Sequence, residues 1–330
     1  MYTNIQFLRF FAAFAVIGYH FGPIYSKLVG GYLTVMYWPF IKYGFVGVDV
    51  FFVVSGFVIW VSTEKGHRYT DITQFYLRRF ARIYMSYWPW FIFMAGILLI
   101  LREKNVEDYS LISNFFLVRT YSPSVLPISW TLTFEVMFYI GFGLTFFFNR
   151  RIAATIMVAW GLTSLLKPFN TTSFLLNPLI FEFSLGVMLG ANRHIICKAP
   201  NILLVALIVI FIYLGVCFAS SKDLLLRALT FGMASFFVVA MAISLEQTGI
   251  SAHRIWKPLG DASYAMYLSH YVLLTLMLTY WSKLKSYPEL TFFVLTFGTL
   301  LISLLQSKYY DTPLMSLFKR QSPLRTQAAQ

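Results

Sequence analysis

The chain has 330 residues, of which 58% are hydrophobic, 19% aromatic and only 12% charged, about half the roughly 25% charged residues of ordinary soluble domains. That leaves too little polar surface to face water, which excludes a soluble globular protein. The formal net charge of +13 would suit nucleic acid, but no basic surface stands clear of an apolar run. No nucleic acid is therefore expected, and anionic lipid headgroups of the bilayer or an anionic cofactor are the natural partners.

Apolar stretches of 17 to 22 residues recur from Ile5 to Lys308, each long enough to cross a hydrocarbon core about 30 Å thick. Barrel strands would alternate apolar and polar residues, whereas the run from Ile202 to Phe218 is apolar on every side, so the spans are helices. Ten windows are predicted, at 5–25, 44–63, 83–101, 128–148, 152–166, 174–190, 201–218, 224–245, 262–281 and 290–308. An even number places both termini on one side. With the termini cytoplasmic, the inner segments hold fifteen Lys and Arg and the outer loops nine, with Arg9 and Arg227 inside spans, the asymmetry of the positive-inside rule. The expected fold is an all-α polytopic bundle of about ten transmembrane helices, multi-pass in the plasma (inner) membrane. Residues 1–308 would form the transmembrane domain and 309–330 a polar, disordered cytoplasmic tail.

Ala13-Phe14-Ala15 loosely matches a signal-peptide cleavage site, but the apolar stretch before it is short, broken by Arg9 and without a basic leader, so the first helix is read as retained. Cys197 and Cys217 fall at opposite ends of the seventh window, about 30 Å apart at helical rise and too far for a disulfide. Neither a metal site nor redox chemistry is indicated.

Ionisable groups inside spans cost several kcal/mol and tend to face a cavity or a partner. In chain order they are Arg9 and His20, Asp49, Glu135, Glu182, Arg227 and His270. Arg9 and His20 are eleven residues apart, about 20° from superposition on a helix and roughly 16 Å apart in depth, so they share a stripe expected to line one cavity. A snorkelling Arg with a packed His is the plainer alternative. Asp49 and Glu135 lie at depths similar to that of His20. A neighbouring carboxylate would orient a His that takes a proton from a hydroxyl, although the same three residues would also serve as a structural network between helices. Arg78, Arg79 and Arg82 cluster at the cytoplasmic start of the third span, suited to bidentate phosphate binding; a positive-inside anchor explains them equally well. The segments from Ser129 to Tyr139 and from Gly260 to His270 are mixed in polarity and read as cavity walls, with Glu135 and Tyr139 one turn apart and Tyr267 and His270 on one face. Gly44, Gly47 and Gly56 on the second span, and Gly186 and Gly190 on the sixth, suit close helix approach.

Taken together, six segments in order resemble the acyltransferase-3 family of integral membrane acyltransferases. They are Arg9 and His20 with ten residues between them; Gly47 to Phe57; Arg79-Phe80-Ala81-Arg82-Ile83-Tyr84; Trp130-Thr131-Leu132 with Glu135 and Tyr139; Phe183-Ser184-Leu185-Gly186; and Ser263-Tyr264 with Tyr267-Leu268 and His270. The resemblance implies a ten-helix bundle that delivers an acyl group, commonly acetyl from acetyl-CoA, to a hydroxyl of a cell-surface or exported glycan. It makes Arg9 and His20 essential and gives Arg79 and Arg82 a role in donor binding. On this reading His20 is the general base or a transient acyl carrier, Asp49 and Glu135 orient or polarise it, and Arg9, Arg78, Arg79 and Arg82 hold the acyl-CoA. Ser55, Trp130, Tyr139, Tyr264, Tyr267 and His270 line the cavity. The acceptor would be a polysaccharide, glycolipid or lipid-linked saccharide, with the loop from Arg102 to Pro127 as its recognition element.

Two departures from the family pattern stand out. Met85 follows Arg-Ile-Tyr where relatives often have Pro, the nearest being Pro89, which would shift the start of that helix. The fused extracytoplasmic domain of some relatives is not expected here, so either the bundle completes transfer or a separate extracytoplasmic transferase does. The rival reading is a transporter or flippase of an acidic or lipid-linked sugar, using Arg9, His20 and Glu135 as a relay.

Overall fold

The structure, a computed structural model, describes residues 2–29, 39–64, 66–100, 109–118, 123–166, 174–196, 198–280 and 286–320. Every regular element among them is helical. The principal helices are α1 (Thr3–Val29), α2 (Val46–Ser62), α3 (Ile72–Ile100), α4 (Trp130–Leu144), α5 (Arg150–Leu165), α6 (Leu179–Ala191), α7 (Asn201–Phe218), α8 (Leu224–Gln247), α9 (Trp256–Tyr280), α10 (Pro288–Gln306) and α11 (Thr312–Arg320). One helix lies in each of the ten apolar windows. Six of the described helical segments, Thr3–Ser26, Ile72–Ile100, Pro127–Phe147, Asn201–Phe218, Leu224–Gln247 and Pro288–Phe318, are long and apolar enough to cross a membrane. α2 and α6 are apolar but shorter. α7 shows why the bundle suits lipid: its Ile202, Val209, Ile210 and Phe218 are between 51% and 77% exposed, an apolar surface of the kind a bilayer covers.

The short pair is the centre of the bundle. A Cβ added at Gly56 of α2 would stand 2.0 Å from the Phe183 carbonyl oxygen, and one at Gly186 of α6 would stand 2.1 Å from that of Val53. The two backbones therefore touch, as small residues allow between membrane helices. Gly56→Ala forces backbone to move and is expected to cost at least about 1–3 kcal/mol. Thermal unfolding in detergent checks this, and an unchanged midpoint would argue against the close approach. From this contact an aromatic stack runs outward: Phe52 on Phe183 (centroids 4.4 Å apart), Phe183 on Phe138 (4.4 Å) and Phe138 on Trp160 (6.1 Å), tying α2, α6, α4 and α5 together.

α1 begins where α8 ends. Both oxygens of Glu246 accept from the backbone N–H groups of Thr3 and Asn4 (2.7 and 2.9 Å), placing a carboxylate on the positive end of α1. α9 starts at the same end, where a Cβ on Gly260 would meet the Gln6 backbone oxygen at 2.4 Å. The far end of α2 is held by Arg150, which donates to the Thr63 and Trp60 carbonyls (2.8 and 3.0 Å). Arg193 donates to both Glu64 oxygens (2.9 and 3.1 Å) and so holds that carboxyl below its usual range.

Two boundaries differ from expectation. α3 starts eleven residues before its apolar window, so the arginine motif lies on the helix itself, and Pro89 sits inside it without ending it. Proline deprives the carbonyl four residues back of its donor; here that is the Met85 oxygen, which accepts from the Tyr310 hydroxyl (3.1 Å). Ser86 and Trp90 bond Asp311 and Gln306 at 2.8 Å each. These bonds correct the first part of the expected disordered tail, residues 309–320: docked on α3, the chain stays helical through a π turn (Ser307–Asp311) and α11. Residues 321–330, Cys197 and parts of the loop from Arg102 to Pro127 lie outside the described residues.

Candidate active site

Helices α1, α2, α3, α4 and α9 enclose a cavity of about 100 Å3. Arg9 enters it from α1, Arg79 and Arg82 from α3, Glu135 and Tyr139 from α4, Ser55 from α2, and Tyr264 and Tyr267 from α9. The one-turn spacing of Glu135 and Tyr139 places both on the same face of α4, where the Tyr139 hydroxyl donates to Glu135. Ser55 donates to the same carboxylate oxygen at 3.2 Å. A carboxylate fixed by two hydroxyls stays in place without a cation.

The arginines are therefore not neutralised. Arg9, buried, donates to Gln6 Oε1 (3.0 Å), and Gln6 donates to Asp261 (2.6 Å), so a neutral amide stands between the guanidinium and the Asp261 carboxylate. Arg79 donates to Ser62 Oγ (2.5 Å) and lies over the Tyr139 ring, 5.4 Å from its centroid. Arg82 lies over Tyr264 at 5.9 Å. Among the described residues, the ion pairs are Arg227 with Asp49 and Arg193 with Glu64; none of the three cavity arginines has one. Three guanidiniums and one carboxylate around a narrow space make a seat for an anion. Among the described residues no cluster of His, Cys, Asp and Glu is placed to hold a metal.

Among the described residues Asp49 has no hydrogen bond or ion pair with His20; its partner is Arg227. Fully buried on α2, it accepts from Arg227 Nε at 2.8 and 3.2 Å and from Nη2 at 3.0 Å, while Nη2 also bonds the Phe45 carbonyl (3.1 Å). Glu182 lies beside this pair, fully buried, with its carboxyl against that of Asp49. A π turn in α8, Ala228–Gly232, brings Gly232 against Glu182, where an added Cβ would be 3.1 Å from its Oε1. The equal depths of Asp49 and His20 suggested adjacency, but a charge inside the bundle goes to the nearest opposite charge.

His20 instead meets His270. Nδ1 of His20 lies 3.0 Å from Nε2 of His270 and the rings stack with centroids 5.1 Å apart. Neither ring lines the cavity; Tyr267, which does, has its ring 5.8 Å from that of His270. The Tyr267 hydroxyl is fixed by Thr131 (2.7 Å) and the Ile128 carbonyl (2.8 Å). Arg9 and His20 thus share a helix but not one cavity. Arg78 does not line it, and its Nε is buried without a partner. Trp130 faces a separate space of about 340 Å3 with Asn114, Ser124 and Asn177. Gln6, Asp261 and Ser62, which position Arg9 and Arg79, were not singled out from the sequence; a Gln three residues before a buried Arg was the one available signal.

A family described as an acyltransferase domain matches residues 2–307. The chain is 30% identical over 242 residues to the exopolysaccharide production protein ExoZ of Rhizobium meliloti (strain 1021), a match covering 69% of this chain and 75% of the relative. It is 28% identical over 309 residues to the acyltransferase MdmB of Streptomyces mycarofaciens, covering 81% and 77%. Over 186 residues it is 28% identical to the peptidoglycan O-acetyltransferase OatA of Listeria monocytogenes, covering 49% of this chain and 28% of the relative. No solved structure matches it.

Proposed function

The chain belongs to the acyltransferase-domain family and is an acyl-transferring enzyme, and on that premise we propose that it O-acylates a glycan, taking acetyl from acetyl-CoA. The observation that carries this is the cavity ringed by three guanidiniums with no carboxylate paired to any of them. CoA is polyanionic and cytoplasmic, and Arg79 on α3 reaches Ser62 at the end of α2 that also carries the Arg150 and Arg193 contacts. In this reading that end is cytoplasmic, ten helices cross the plasma (inner) membrane and both termini are inside, which agrees with α1 starting where α8 ends. Arg79 and Arg82 take donor phosphates, Arg9 and Glu135 face the pantetheine arm, and His20 takes the acceptor's proton.

The acceptor is a hydroxyl of an exported polysaccharide or lipid-linked saccharide. The names of two relatives, an exopolysaccharide production protein and a peptidoglycan O-acetyltransferase, support that class. The space beside Trp130, with its asparagines and serines, has the aromatic and amide groups that sugars bind. A separate extracytoplasmic transferase is the partner to seek if the bundle stops at an acylated intermediate.

Acyl-CoA binding by the purified protein tests the donor assignment. A charge-assisted hydrogen bond contributes about 1.5–3 kcal/mol, so Arg79→Gln and Arg82→Gln are each expected to raise the acetyl-CoA Kd about 10- to 100-fold. Unchanged affinity in both variants would refute the donor seat.

A further inference from the structure

We propose that His270 is a positioning residue that fixes the tautomer of His20, leaving Nε2 of His20 as the proton-accepting atom of acyl transfer. This rests on the reading of His20 as the base. The chain of contacts begins at a group that can only accept: His270 Nδ1 lies 3.2 Å from the Met266 carbonyl oxygen, so Nδ1 carries the hydrogen. His270 is fully buried, among Met266, Leu274 and other buried apolar side chains, and among the described residues no carboxylate pairs with it. An imidazolium there would be an uncompensated buried charge, so the ring is neutral. A neutral ring protonated at Nδ1 has its lone pair on Nε2. That lone pair faces His20 Nδ1 at 3.0 Å, so His20 donates from Nδ1. His20 Nε2 is then unprotonated. His20 is the partly exposed member of the pair and His270 the sealed one, which makes His20 the ring a substrate hydroxyl can reach.

The orienting group is therefore an imidazole, where a carboxylate had been expected from the sequence. The groups facing the pair are aromatic: Tyr19 from α1, and Tyr267 and Tyr271 from α9. In the transfer step the acceptor oxygen bonds to the thioester carbonyl carbon and its proton passes to His20 Nε2. The carbon–sulfur bond breaks, and the departing thiolate takes that proton from Nε2. The products are the ester and the free thiol of CoA, with His20 neutral again and His270 unchanged throughout.

The test compares His270→Leu, which removes the acceptor atom, with His270→Gln, whose side-chain oxygen can accept from His20 Nδ1 near the place of Nε2. Partners that fix the tautomer of a metal-bound His contribute about 10- to 100-fold, and the same scale is expected for this pair. His270→Leu is expected to lower kcat about 100-fold with the donor KM within about twofold of wild type, and His270→Gln to recover at least about tenfold of that loss. A Leu variant with wild-type kcat, a raised donor KM, or a Gln variant as impaired as Leu would overturn the proposal. His20→Ala assayed in parallel separates the failures: if it stays active, the base reading itself falls; if it is inactive while His270→Leu is fully active, only the tautomer proposal falls.

Discussion

Arg227→Leu is expected to destabilise the protein by about 3–5 kcal/mol, the cost of leaving one partner of a buried pair uncompensated. The Asp49 carboxylate would lose the three hydrogen bonds from Arg227 and be left against the Glu182 carboxyl. Adding Asp49→Leu removes both charges together, and replacing a whole buried pair by apolar groups is often neutral. The double variant should therefore regain most of the lost thermal midpoint in detergent and retain acyl transfer. A double variant that is stable but inactive would restore Asp49 to the catalytic role that depth in the sequence suggested. A single variant with an unchanged midpoint would mean that the pair does not hold α2 to α8.

His20→Ala is the substitution with the largest effect on chemistry. General base catalysis contributes roughly 10²–10⁴-fold, and kcat should fall by that factor while the protein still reaches the membrane and binds acetyl-CoA like wild type. Retained donor binding follows from the layout: the proposed seat is lined by Arg9, Arg79 and Arg82, and His20 is not among the residues lining that cavity. Activity within a few-fold of wild type would sink the role of His20.

What the sequence made legible, and what it hid, follow from the geometry of a helical bundle. Hydrophobic length located a helix for each window, because a long, mostly apolar stretch in lipid satisfies its backbone as a helix. Within a helix, spacing was equally informative: Glu135 with Tyr139, and Tyr267 with His270, meet as their offsets require. Contacts between helices were not legible. Asp49 finds Arg227 178 residues away and His20 finds His270 250 residues away. Depth supplies one coordinate only, and it made Asp49 a plausible neighbour of His20 although the two point to different partners. The end of α10 hid for another reason. Its polar residues look like a solvated tail until the carbonyl freed by Pro89 on α3 is seen to need Tyr310.

The central claim is that this bundle moves an acyl group from acyl-CoA to a glycan hydroxyl. Inside-out membrane vesicles containing the protein, given acetyl-CoA labelled in the acetyl group, test it most directly. Alkali-labile label is expected in the glycan or lipid-linked fraction, and Arg79→Gln with Arg82→Gln should abolish it at low donor concentration. Movement of glycan across the membrane without any acyl-CoA, and no label from acetyl-CoA or longer acyl-CoAs, would contradict the account and favour transport.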